Sequence, residues 1–198
     1  MTMTIGATSV NAYFPAGYWY DFQGRKLILD SSVSTQTINL FTPLTAVNVH
    51  IHGGSILPLQ QAAMTTTIGR TTPFTLLVAL CPGGKAFGNL FWDDGEQVSL
   101  DHYLYLSFAA QVNASNGANT VTSTVLTNTL STNAVMQLLQ TITILGNVSQ
   151  IKEPTTKVII NQQQLLSEQV VYDATKNSLS FVDLNINLTN GITVSWSN

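Results

Sequence analysis

The sequence predicts an all-β protein, an antiparallel β-sandwich, and three observations lead there. Apolar residues alternate with Ser, Thr and Asn through most of the second half of the chain, which places one side chain set on each face of a strand. Turn residues interrupt these runs at short intervals, as in PAG (15–17), CPGGK (81–85), DDG (93–95), SNG (115–117), ATKN (174–177) and TNG (189–191). Only two stretches, AVMQLL (134–139) and QQQLLSE (162–168), have a helical character, and both are too short to set an architecture.

In chain order, the first element is AYFPAGYWYDFQG (12–24), with six aromatic rings between Tyr13 and Phe22. PAG reads as a hairpin turn that folds two aromatic strands onto each other and buries them; exposed, the same rings would stack on sugars. VNVHIHGGSILPLQ (47–60) reads as a strand running into a Gly-Gly turn, and TTTIGRTTP (65–73) as a polar loop. FTLLVAL (74–80) and KVII (157–160) are dense enough for strands covered on both faces. YLYLSFAAQV (103–112) is a further strand, as are NTVTSTVL (119–126) and TITIL (141–145) with their period of two. In GITVSW (191–196), Ile192, Val194 and Trp196 share one face while Thr193 and Ser195 share the other.

The chain has 198 residues and is 44% hydrophobic, enough to fill a sizeable core. Seven basic and ten acidic residues give a net charge of −3 without a basic run, which argues against nucleic acid and anionic membrane surfaces as partners. No apolar run approaches the ~20 residues of a membrane span, and MTMTIGATSV has neither part of a signal peptide. Cys81, the single cysteine, reads as a strand end and not a nucleophile, because no base-bearing motif accompanies it. The candidate glycosylation sites are the sequons at Asn113, Asn147 and Asn187; with 16 Asn and 42 Ser plus Thr in the chain, composition alone supplies about three such tripeptides.

Two clusters have residue types suited to chemistry. In GNLFWDDGE, the segment Trp92, Asp93, Asp94, Gly95 and Glu96 gathers three carboxylates, which suits a cation loop or a glycosidase acid pair. An Asp-Gly pair between strand-like runs is equally a hairpin corner, and this reading is preferred because nothing distinguishes the pKa of one carboxylate from another. His50 and His52 project from the same face of a strand, half of a zinc site, but the remaining histidine, His102, is remote in sequence. The expectation is that catalytic, cofactor-binding and metal residues are all absent, and that the hairpin motif is structural.

The order and spacing of AYFPAGYWYDFQG, TPLTAVNVHIHGGSILPLQ, AMTTTIGRTTPFTLLVAL and GNLFWDDGE resemble the C-terminal part of the glycoside hydrolase family 31 α-glucosidases. The similarity is specific over residues 7 to 112 and looser beyond. It implies residues 1–57 as the remainder of a proximal C-terminal β-sandwich and residues 58–198 as a distal one, both following a catalytic barrel. The family's nucleophile motif, W-x-D-M-N-E, lies on that barrel and has no counterpart here, so no catalytic residue carries over. Relatives commonly have Arg where this chain has His52, which suggests that an ion pair, with an acid such as Asp21, is replaced here by a pH-dependent contact.

The resemblance implies a non-catalytic portion of an enzyme that hydrolyses terminal α-1,4-linked glucose, packing against its barrel, in a secreted, lysosomal or vacuolar setting. Strands that precede AYFP in relatives leave an open sheet edge here, so the expected partner is the parent barrel or a second copy. The alternative is a free-standing carbohydrate-binding or adhesion module with the aromatic hairpin as its platform.

Overall fold

The computed structural model describes residues 6–31, 34–93, 95–96, 98–112, 119–130, 137–146 and 157–196. The expected all-β architecture holds. Six strands come first: β1 Ser9–Phe14, β2 Gly17–Asp21, β3 Leu27–Ser31, β4 Gln36–Phe41, β5 His50–His52 and β6 Ser55–Leu59. A single helical turn, α1 Thr66–Gly69, precedes β7 Phe74–Ala79, β8 Lys85–Asp93, β9 Tyr103–Gln111, β10 Asn119–Asn128 and β11 Leu138–Leu145. The last strands are β12 Val158–Ile160, β13 Gln163–Gln164, β14 Val170–Asp173, β15 Ser178–Phe181, β16 Ile186–Asn187 and β17 Ile192–Trp196.

They form one large sheet and two small ones. The large sheet runs β13-β12-β17-β10-β9-β8-β6-β7-β11-β15-β14, with β16 also on β11. Its ladders are antiparallel except β11 on β7 and a single β6–β8 contact, which are parallel. It is strongly curled. Seven ladder steps separate β17 from β15, about 34 Å in a flat sheet, yet the rings of Trp196 and Phe181 meet edge to face at 5.4 Å. Curling encloses one core, to which nearly every strand contributes its alternate residues: Leu104, Leu106 and Phe108 from β9, Ile142 and Ile144 from β11, Val194 and Trp196 from β17.

The small sheets come from residues 9–52: among the described residues β1 pairs with β4 alone, and β3-β2-β5 forms a three-stranded patch. That patch lies on the outer face of the large sheet. β7 is therefore covered on both sides, as its unbroken apolar run predicts: Leu76 and Val78 face the main core, Leu77 and Ala79 a second cluster with Tyr20, Ile51 and Leu145. Position 57 lies inside β6, which pairs along its length with β7.

Several local expectations are corrected. PAG does not make a hairpin, because β1 pairs with β4 and β2 with β3 and β5; it is a corner where the chain leaves one sheet for another. The two helical candidates are largely extended: Leu138 and Leu139 begin β11 between β7 and β16, Gln163–Gln164 is β13, and Ser167–Gln169 is one 3-10 turn. Tertiary pairing overrides a propensity that spans under two turns. Residues 134–136 and the SNG turn lie outside the described residues. The polar run 65–73 contains α1, opened by Thr65, whose hydroxyl accepts from the Ile68 amide. KVII is less enclosed than expected, for Ile159 between the buried Val158 and Ile160 is only half-buried.

Candidate functional site

The acidic segment sits at the end of β8. β8 and β9 pair continuously from Lys85↔Gln111 to Asp93↔Tyr103, so the connection runs through residues 94–102. Residues 98–100 of QVSL are not a strand, and Val98 and Leu100 are exposed; Gln97 lies outside the described residues. Asp93 turns the chain by accepting the Gly95 amide at 2.9 Å, and Gly95 adopts φ +74°. Arg70, from just after α1, covers this corner: its guanidinium lies 4.6 Å from the centre of the Trp92 ring and 3.9 Å from the Asp93 carboxylate. A Cβ on Gly95 would stand 2.8 Å from that guanidinium, the far end of a flexible side chain that can shift, so it is the φ of +74° that favours glycine here. Cation–π contact and a partly exposed ion pair each contribute about 0.5–1 kcal/mol. Trp92 is buried, Glu96 is exposed, and Asp94 lies outside the described residues. This geometry latches two segments together, with Asp93 engaged by a backbone amide and a cation. Arg70 could not be found from the sequence, because a lone arginine in a polar run signals nothing about a tryptophan 22 positions on.

The histidines are separated. His50 and His52 share a face of β5, as their spacing requires, but the His50 ring meets Phe14 at 5.1 Å and the His52 ring meets Trp19 at 4.8 Å. Phe14 and Trp19 touch each other at 5.4 Å, and the Trp19 indole donates to the Pro15 carbonyl at 3.0 Å. His102 is elsewhere, its Nδ1 paired with the Thr129 carbonyl at 2.9 Å. Among the described residues no group of three His, Cys, Asp or Glu could hold a metal ion. Asp21 stands opposite His50, not His52, and its carboxylate accepts the Gly24 amide. The ion-pair position expected for residue 52 therefore has Trp19 as its neighbour. The aromatic segment divides: Phe14 and Tyr20 are buried, whereas Tyr13 is 65% exposed.

Tyr20 ties the small sheet to the large one. Its hydroxyl donates to the Leu80 carbonyl at 2.7 Å, 60 residues away. It lies against Gly146, at φ +82°, where any Cβ would collide with the hydroxyl. Burial pushes the Tyr20 pKa far above that of a free tyrosine, and the neighbouring Tyr18 pushes it a little further in the same direction. Of the sequons, Asn187 caps the 3-10 turn Leu188–Asn190, accepting from the Thr189 amide and hydroxyl at 2.9 and 2.8 Å; Asn113 and Asn147 lie outside the described residues. Cys81 is a half-buried free thiol after β7.

Residues 1–57 match the model for the "Glycosyl hydrolase family 31 C-terminal domain". Intestinal sucrase-isomaltase from Oryctolagus cuniculus is 33% identical over 98% of the chain. An α-glucosidase from Hordeum vulgare is 51% identical over 46% of it, and lysosomal α-glucosidase from Mus musculus 39% over 54%. The chain spans only about a tenth of the length of these relatives (10%, 10% and 13%). The crystal structure of the glucosidase II α subunit superimposes on 99% of the chain with a TM-score of 0.79, using 22% of its own length; at 17% identity this shows the shared fold alone. No helix among the described residues is long and apolar enough to cross a membrane. In sequence and in fold, the chain is a C-terminal domain region of the glycosyl hydrolase family 31 α-glucosidase family.

Proposed function

We propose that the chain is the non-catalytic C-terminal β-sandwich portion of an α-glucosidase acting on terminal α-1,4-linked glucose, and that it braces the catalytic barrel of the parent enzyme. One observation carries this reading. The β1/β4 ribbon, within the segment that matches the family model, has no third strand among the described residues, and Tyr13 and Phe41 on it are 65% and 70% exposed. A two-stranded ribbon is marginal in water by itself, and exposed rings on it favour a covering polypeptide. The parent barrel is that cover, or a second copy where the barrel is missing. On this reading residues 1–57 serve the proximal layer and 58–198 the distal one, the Trp92–Glu96 corner is structural, and the parent resides in a secretory, lysosomal or vacuolar compartment where Asn187 can be glycosylated.

Hydrogen exchange tests the bracing role. Backbone amides of β1 and β4 are expected to exchange rapidly in the isolated chain and to gain protection in the enzyme-length protein from the same source. Equal exchange in both would sink the proposal. A chromogenic α-glucoside incubated with the isolated chain separates the non-catalytic reading from an enzymatic one, with no turnover expected.

A further inference from the structure

The outer face of β8 and β9 is unlike the rest of the large sheet. Its inner residues are uniformly apolar, but its outward positions carry rings and hydrogen-bonding groups in alternating rows. Register fixes the rows: Phe87 lies opposite Ala109, Asn89 opposite Ser107, Phe91 opposite Tyr105. Ser107 is in turn opposite Thr124 of β10, so an amide and two hydroxyls cross three strands between one ring row and the next. Phe91 stacks on Tyr103 at 5.1 Å and leans on Tyr105 at 6.3 Å, which leaves its other side open at 47% exposure. Phe87 is 63% exposed and stands about 13 Å away along the same strand. Charge occurs only at the two ends of the β8 row, Lys85 and Asp93.

We infer that this face is a binding platform for a neutral oligosaccharide, with Phe87 and Phe91 contacting sugar ring faces and Asn89 and Ser107 hydrogen-bonding the hydroxyls between them. The composition selects the ligand class. An apolar partner surface would leave the central Asn89–Ser107–Thr124 row without hydrogen bonds, which is costly on burial. A charged ligand finds no complementary charge between the ends of the strand. A polyhydroxylated chain offers both halves of the match, apolar C–H faces for the rings and hydroxyls for the polar row. The platform is distinct from the PAG corner considered from sequence, whose Phe14 is already buried. YLYLSF contained the signal, since it is apolar inward and aromatic outward, but a run of that kind reads simply as a covered strand. The inference is independent of the bracing role, for β1 and β4 take no part in it.

Affinity electrophoresis of the purified chain through gels containing amylopectin, dextran or a soluble β-glucan tests it, the three gels distinguishing linkage classes. Retardation in at least one gel is expected, lost about five- to tenfold in Phe91→Ala and Tyr105→Ala, kept in Phe91→Trp, and unaffected by Phe41→Ala. Thermal melts of the variants check that folding is intact. Absence of retardation in all three gels overturns the inference, as does undiminished retardation in Phe91→Ala. Concentration-dependent sedimentation abolished by Phe91→Ala would also overturn it, assigning the face to a second copy.

Discussion

The first fifty residues and the curled sheet solve the same problem, the covering of apolar strands, in opposite ways. The curled sheet bends until its own ends meet, and Leu104, Leu106, Ile142, Ile144, Leu179 and Val194 are wholly shielded by side chains of the same sheet. The β1/β4 ribbon has no third strand among the described residues, and only Phe14 at its end is buried, against Trp19 and His50 of the neighbouring patch. Tyr13, Phe41, Leu44 and Val47 stay exposed, while the neighbouring β3-β2-β5 patch is covered only because it rests on β7 and β11 through Tyr20. Length of sheet decides the difference: twelve strands can curl around a core, whereas two or three need another surface.

The largest effect is expected where the sheet closes on itself. Trp196→Ala removes the ring that meets Phe181 and should cost about 3–5 kcal/mol by urea denaturation. A loss under about 1 kcal/mol would show that the two ends do not share one core. Next comes the junction of the two regions. Gly146→Ala forces a Cβ into the Tyr20 hydroxyl at a positive φ and should cost about 1–3 kcal/mol, detectable as early exchange of β2 and β5 amides before global unfolding. Tyr20→Phe, which deletes only the bond to Leu80, should cost about 1 kcal/mol.

The same junction has a pH signature. Folding raises the Tyr20 pKa above its ordinary value near 10, with burial as the main cause, so the folded state holds the proton more tightly than the unfolded one. Its contribution is complete below pH 10 and is lost as pH rises beyond it. Tyr20→Phe should therefore flatten the alkaline limb of a stability–pH curve. At the acid end, Asp173 accepts from the hydroxyl and amide of Thr175, which with the Lys176 contacts lowers its carboxyl to about 2. That contribution is present above the unfolded value of about 3.8 and declines as pH falls towards 2. Asp173→Asn should remove this decline without altering stability at neutral pH by more than a small amount. The smallest effect belongs to the ribbon: Phe41→Ser in the isolated chain should change stability by under about 0.5 kcal/mol, since the ring touches mostly water there. A large loss would mean that the ribbon is covered within the chain itself.

Strand faces were legible in the sequence wherever inside and outside differ sharply, as at Ile192, Val194 and Trp196 or Leu104, Leu106 and Phe108. The two-sided burial of β7 was legible too, because its run has no polar break after Thr75. What escaped was long-range partnership. Nothing local to PAG says that β1 will choose β4 over β2, and nothing near Phe74 announces a parallel neighbour at Leu139. Arg70 over Trp92 and Tyr20 beneath Leu80 are likewise single side chains whose partners are chosen by the curl of the sheet. The quality of the acidic corner as a hairpin was partly readable from Asp-Gly, but the sequence alone does not show that Asp93 will be occupied by the Gly95 amide and Arg70.

The Tyr20 junction also orders events in time. The cleft that receives this tyrosine is assembled from Leu80 and Gly146, which a ribosome adds long after residue 20. The Tyr20 contact must therefore wait until more than a hundred further residues have emerged and β11 has found β7. A pause or cleavage before residue 146 would leave the Tyr20 hydroxyl without the Gly146 side of its berth.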